Sequence, residues 1–175
     1  MAGPLRIEHL ELALDPEAPF HLNFARAQPQ TVAEIVRSLA DAVVSRDVDL
    51  DLELAVRAAN LCGHVSLPGT LWVLEQAAQS PQAALREAAA AALELRRDDP
   101  PELLASLLLD PDVRVRARAL ATLAERPVHR RLRHLAALRR LRADPDPRVR
   151  TLAKRVRVLR KRAPLRACTL PQRTM

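Results

Sequence analysis

Apolar residues along this chain return every third or fourth place, the period of an amphipathic helix, and proline and aspartate cut the pattern at short intervals. In "DPDVRVRARALATL", which begins at Asp110, Val115, Ala119 and Leu123 fall on one face and the arginines on the others. Three further stretches read alike: "DLELAVRAANLCGH" from Asp51, "SPQAALREAAAAAL" from Ser80 and "DPDPRVRTLAKRVR" from Asp144. Six places after each opener stands Arg57, Arg86, Arg116 or Arg150, each preceded by Val56, Leu85, Val115 or Val149. Asn60, Ala89, Ala119 and Ala153 follow three places later.

A second, shorter apolar helix precedes each opener: "TVAEIVRSLADAVV", "PGTLWVLEQAAQ", "PELLASLLL" and "LRHLAALRRLRA". Each unit is thus expected to be a helix, a tight turn and a second helix, with the opener capping the second helix. Such a hairpin cannot bury its apolar face alone, so units at near-constant spacing are expected to stack.

In these residues the chain resembles the HEAT-repeat family, most closely its short, phycobilisome-lyase-type repeats. The resemblance implies an all-α fold: an α-solenoid of about four stacked hairpins near 31–64, 68–97, 101–125 and 129–162. It also implies a role for Asp51, Arg57, Arg86, Asp110, Arg116, Asp144 and Arg150. The opener aspartate and the arginine six places on would tie turns together and link neighbouring units. Ser80 departs from the pattern and leaves the ionic part of that tie open in the second unit. Residues 1–30 do not fit the repeat and are expected to form an irregular cap. Residues 163–175, with Pro164 and Pro171, are expected to be a loose tail.

Composition supports the helical reading. Aromatics make up 2 %, and glycine occurs three times, too few for the turns and packed faces of a β-sandwich or a doubly wound sheet. No segment resembles a membrane span or a secretory leader, so a soluble, cytoplasmic protein is expected. Cys62 and Cys168 are too few for a disulfide framework.

Charge changes the picture at one end. Residues 1–80 carry a net −6 and residues 81–125 a net −2, whereas residues 126–175 carry +15. The fourth unit concentrates this charge in Arg133, Arg139, Arg140 and Arg142 on one helix and Arg148, Lys154, Arg155, Arg157, Lys161 and Arg162 on the next. The last helix keeps an apolar stripe at Val149, Leu152, Val156, Leu159 and Ala163, so its helical spacing comes from the repeat but its surplus of cations does not. Like charges four apart repel by a few tenths of a kcal/mol, roughly, and a polyanion would relieve that repulsion.

Catalytic chemistry finds little support. The five histidines are scattered, and His129 and His134 stand five apart, off a common helix face. Cys62 and His64 flank Gly63 with no second ligand pair. Asp98 and Asp99 read as a solvated turn in "RRDDPPE". The HEAT-like fold also hosts DNA glycosylases, which rely on grouped aromatics and a carboxylate, and bilin lyases. Here only Trp72 follows Phe24, and it is expected to be core or half-buried in its helix, the bolder reading being a hot spot for a partner. The sequence therefore predicts a non-enzymatic scaffold without cofactor or metal, which binds a protein partner and meets acidic groups at its basic end. The alternative is sequence-independent grip on a nucleic-acid backbone, and a weaker third reading is association with a membrane surface.

Overall fold

A computed structural model describes Val36, Arg37, Ala40, Val43, Val44 and residues 52–64, 69–96, 98 and 100–156. The expected cap at 1–30, the tail at 163–175, Asp51, Arg157, Lys161 and Arg162 lie outside the described residues. Those residues are helical, without a strand among them. Val36, Arg37, Ala40, Val43 and Val44 occupy helical positions, with Val43 buried. Then follow α1 (Leu52–His64), α2 (Thr70–Ala78), α3 (Ala83–Leu95), α4 (Pro101–Leu108) and α5 (Val113–Glu125). The short α6 (Val128–Arg131) runs through a 3-10 turn (Leu132–His134) into α7 (Leu135–Leu141), and α8 (Pro147–Arg155) follows.

The helices start where local chemistry dictates. Pro101 and Pro147 stand in first turns, where the missing amide hydrogen costs nothing. Asp112 caps α5 by accepting from Arg114 N, and Asp146 caps α8 by accepting from Arg148 N and Val149 N. The capping carboxylate is therefore the second acid of each Asp-Pro-Asp, not the opener. Gly69 precedes α2 with φ 89°, a left-handed conformation that glycine adopts without strain.

Packing brings the longer helices into two rows. In one, α1 packs on α3, α3 on α5 and α5 on α8; in the other, α2 packs on α4 and α4 on α7. Leu74, Leu93, Leu104, Leu108, Leu120, Leu123 and Leu138 fill the space between the rows. Alanine does the rest: Ala89, Ala90 and Ala92 are buried on α3 and keep backbones close. Closest is Gly63, where a β-carbon would lie 2.6 Å from the Ala92 carbonyl oxygen. Thr122, fully buried on α5, donates to the Ala90 carbonyl of α3 at 2.7 Å.

The buried positions fix the register of α1. Ala55, Ala58, Ala59, Cys62 and Gly63 are buried, as are Leu85, Ala88, Ala89, Ala92 and Leu93 thirty places on. Arg57 and Asn60 are exposed, whereas Ala89 is buried and Arg86 half-buried. The alignment of Arg57 with Arg86 is therefore one residue out of step, and Val56 stands where Arg86 does. Trp72 on α2 is 47 % exposed, which removes it from the core.

Candidate functional site: a guanidinium ladder beside an unpaired basic surface

Arg86 lies on the first turn of α3. Its Nη1 donates to the carbonyls of Ser80 and Pro81 at 2.9 and 3.0 Å. Its Nε and Nη2 donate to the two oxygens of Asp110 at 2.7 and 3.0 Å. Arg116 on α5 repeats the arrangement: Nη1 meets the carbonyls of Asp110 and Pro111, while Nε and Nη2 hold Asp144 at 2.8 and 2.9 Å. Each aspartate also accepts a backbone amide two residues on, Asp112 N for Asp110 and Asp146 N for Asp144. The opener thus folds its own turn and receives the preceding arginine. The hydrogen bonds from Arg116 hold the Asp144 carboxyl below its ordinary 3.8, and Asp144 in turn raises the guanidinium further above its usual value.

Ser80 keeps half of this role. Its hydroxyl accepts from Gln82 N at 3.1 Å, as the aspartates accept two residues on, but it offers no carboxylate. The place that would reach it, 24 residues earlier like Arg86 before Asp110, belongs to Val56. Ser80 therefore removes the ionic tie one helix pair earlier than its own arginine, since Arg86 remains fully engaged. Arg57 instead pairs with Glu53 on its own helix, with both side chains in solvent.

Arg150 is the last arginine of the ladder among the described residues. Its Nη1 holds the carbonyls of Asp144 and Pro145, both at 2.8 Å, as Arg86 and Arg116 hold theirs. No carboxylate among the described residues receives its Nε and Nη2.

A second set of guanidinium contacts had no counterpart in the sequence reading. Arg96, just past α3 and 3 % exposed, reaches back to the Cys62 carbonyl and the Thr70 hydroxyl, both at 2.8 Å, and pairs with Asp98. Arg126, just past α5, donates to the Arg96 carbonyl at 2.7 Å and to the Leu93 carbonyl. The Cys62 and Leu93 carbonyls lie in the last turns of α1 and α3, where carbonyls run short of amide partners, and the Leu93 carbonyl also accepts from Arg96 N. "RRDDPPE", read as a solvated loop, therefore begins with a buried structural arginine, whose hydrogen bond holds the Asp98 carboxyl below its usual range. The recoverable signal was the arginine three places after both Leu93 and Leu123.

The predicted basic surface is solvent-facing as far as the structure describes it. Arg133, Arg139, Arg140, Arg142, Arg148, Lys154 and Arg155 are all exposed, and none forms an ion pair among the described residues. By contrast, Arg114 lies 3.5 Å from Asp112 and Arg118 lies 3.7 Å from Glu94. The two acids within 126–156, Asp144 and Asp146, already serve Arg116 and the α8 cap. Beneath these cations, Val149, Ala153 and Val156 are buried and Leu152 half-buried, with α8 packed on α5 and α7.

Cys62 and His64 point apart in environment: the thiol is fully buried and the imidazole exposed. Burial pushes the Cys62 thiol up to about 12. No group of three or more His, Cys, Asp or Glu suited to a metal ion occurs among the described residues. No helix among them is long and apolar enough to cross a membrane. No protein-family model matches the chain, and no curated protein matches it.

Proposed function

We propose that the chain is a non-enzymatic scaffold, an α-solenoid of HEAT-like helix pairs, that binds a protein partner and engages its acidic groups through α7 and α8. One observation carries this reading: seven exposed cations of the last helix pair form no ion pair among the described residues, while Arg114 and Arg118 one pair earlier do. The recurrence of the Arg86–Asp110 contact at Arg116–Asp144 supports the repeat reading. A continuous row of helices offers a long surface rather than a cleft, which suits docking of a chain more than turnover of a small molecule. Exposed Trp72, on the acidic side, adds an apolar anchor of the kind that interfaces use.

The same cations support a second reading, grip on a phosphate backbone. It lacks stacking aromatics near the basic end, so it would involve no reading of bases. Fluorescence anisotropy separates the two, using labelled polyaspartate and a random DNA duplex at about 50 and 200 mM salt. The scaffold reading expects polyaspartate to bind and to compete with any duplex binding. A variant with Arg139, Arg140, Lys154 and Arg155 changed to Gln should lose at least roughly tenfold in affinity. Duplex binding that polyaspartate fails to displace would transfer the function to nucleic acid.

A further inference from the structure

Among the cations of α8, one is unlike the rest. Arg148, Lys154 and Arg155 are exposed side chains with no hydrogen bond among the described residues, but Arg150 is anchored. Its Nη1 is held by the carbonyls of Asp144 and Pro145, which fixes the plane of the guanidinium and presents Nε and Nη2 as a fork. Twice in this chain the same anchored fork receives both oxygens of an aspartate, at Arg86–Asp110 and Arg116–Asp144. In both cases the aspartate stands two residues before a helix N-cap and accepts that capping residue's amide. The third fork has no such acceptor among the described residues, and residues 157–175 contain no aspartate or glutamate to supply a side-chain carboxylate.

The geometry points to Arg150 as the recognition residue of the proposed docking surface: a ready-made site for one carboxylate from an acidic partner protein, taken in the two-oxygen mode of the internal rungs. The preferred ligand is the first aspartate of an Asp-Pro-Asp turn that leads into a helix, because the two internal occupants have that form. Arg148, Lys154 and Arg155 surround the same helix without acid partners and favour an acidic segment beyond the aspartate itself. A guanidinium anchored before binding loses little freedom when it closes on a carboxylate, so the rung discriminates by shape as well as by charge. This inference rests on the scaffold reading and names the contact that would carry it.

The test uses the full chain and a short fluorescein-labelled peptide that begins with an Asp-Pro-Asp opener and continues in alternating Ala and Glu. A second peptide carries Asn in place of the first Asp. The chain should prefer the Asp peptide by about tenfold, the scale of one lost charged hydrogen-bond pair. Arg150→Lys, which keeps the charge but loses the fork, should abolish that preference. Lys154→Gln, which loses a charge, should weaken both peptides equally and leave the preference intact. Circular dichroism of each variant checks the helical fold, and the comparison of two peptides on wild-type chain needs no variant. If the wild-type chain binds both peptides equally, the rung is not the site, while the scaffold reading stands. If neither peptide nor polyaspartate binds, both fail. If the chain self-associates in sedimentation and Arg150→Lys makes it monomeric, the rung belongs to a second copy and the partner-protein inference is overturned.

Discussion

Arg116 and Asp144 meet edge to edge, two parallel hydrogen bonds of 2.8 and 2.9 Å joining residues 28 apart, with side chains only 12 % and 5 % exposed. The pair sits where α5 packs on α8, so it links the last described helix to the long helix of the preceding pair. Removing one member of such a pair leaves the other buried without its partner, which costs more than the pair is worth over a neutral replacement.

Asp144→Asn should therefore destabilise the fold by about 2–4 kcal/mol in urea unfolding, and Asp110→Asn by a similar amount. Arg57→Ala, which removes a solvent-exposed partner of Glu53, should change stability by less than about 0.5 kcal/mol. A large effect at Arg57 would restore it to the ladder and contradict the register of α1.

Acid should act through the same contacts. The Asp144 carboxyl is held below 3.8 first by the hydrogen bonds from Arg116, and Asp98 is lowered by Arg96. A carboxyl depressed in the folded state binds fewer protons there than when unfolded. Its contribution is complete above its unfolded value near 3.8 and is lost as pH falls through the folded value. Stability measured by urea unfolding should hold from neutral pH down to about pH 5 and then decline, and Asp144→Asn should flatten that decline.

Cys62 gives a probe of the core. In a Cys168→Ser chain, a thiol pushed from 9.0 to about 12 holds roughly a thousandfold less thiolate than an ordinary one at pH 8. Native protein should therefore react with a disulfide reagent at least roughly a thousandfold more slowly than the urea-unfolded chain. Rapid native labelling would show that α1 does not pack on α3 as described.

Gly63→Ala should destabilise the fold by about 1–3 kcal/mol, because the added carbon would lie 2.6 and 2.7 Å from backbone atoms of Ala92. Elsewhere in a helix the same change usually stabilises, so thermal unfolding gives a result of clear sign.

What the sequence disclosed, and what it withheld, follows from which signals are periodic. Arg86, Arg116, Arg150, Asp110 and Asp144 recur with the same neighbours, and regular spacing exposes them. Arg57 mimics the pattern by identity, one place out of step. Only burial, with Ala59 rather than Asn60 inside, reveals the slip. The cap was misplaced because Asp-Pro-Asp offers two carboxylates two residues apart, and the first is taken by its own turn and by the preceding arginine. Arg96 and Arg126 were hidden among other charges, since nothing local distinguishes an arginine that bridges to a helix end 34 residues earlier from a solvated one. The exposure of the described cations, Arg133 to Arg155 of the predicted surface, was legible because exposure is the default for arginine on the polar face of an amphipathic helix.

The two sets of arginine contacts run in opposite senses along the chain. Arg86 and Arg116 reach forward to an aspartate that follows them in synthesis, whereas Arg96 and Arg126 reach back to helix ends synthesised before them. Arg86 and Arg116 thus wait on the next helix pair for an anion, while Arg96 and Arg126 supply the preceding long helix with donors. A chain stopped after α3 or α5 would leave a guanidinium without its anion on its last surface.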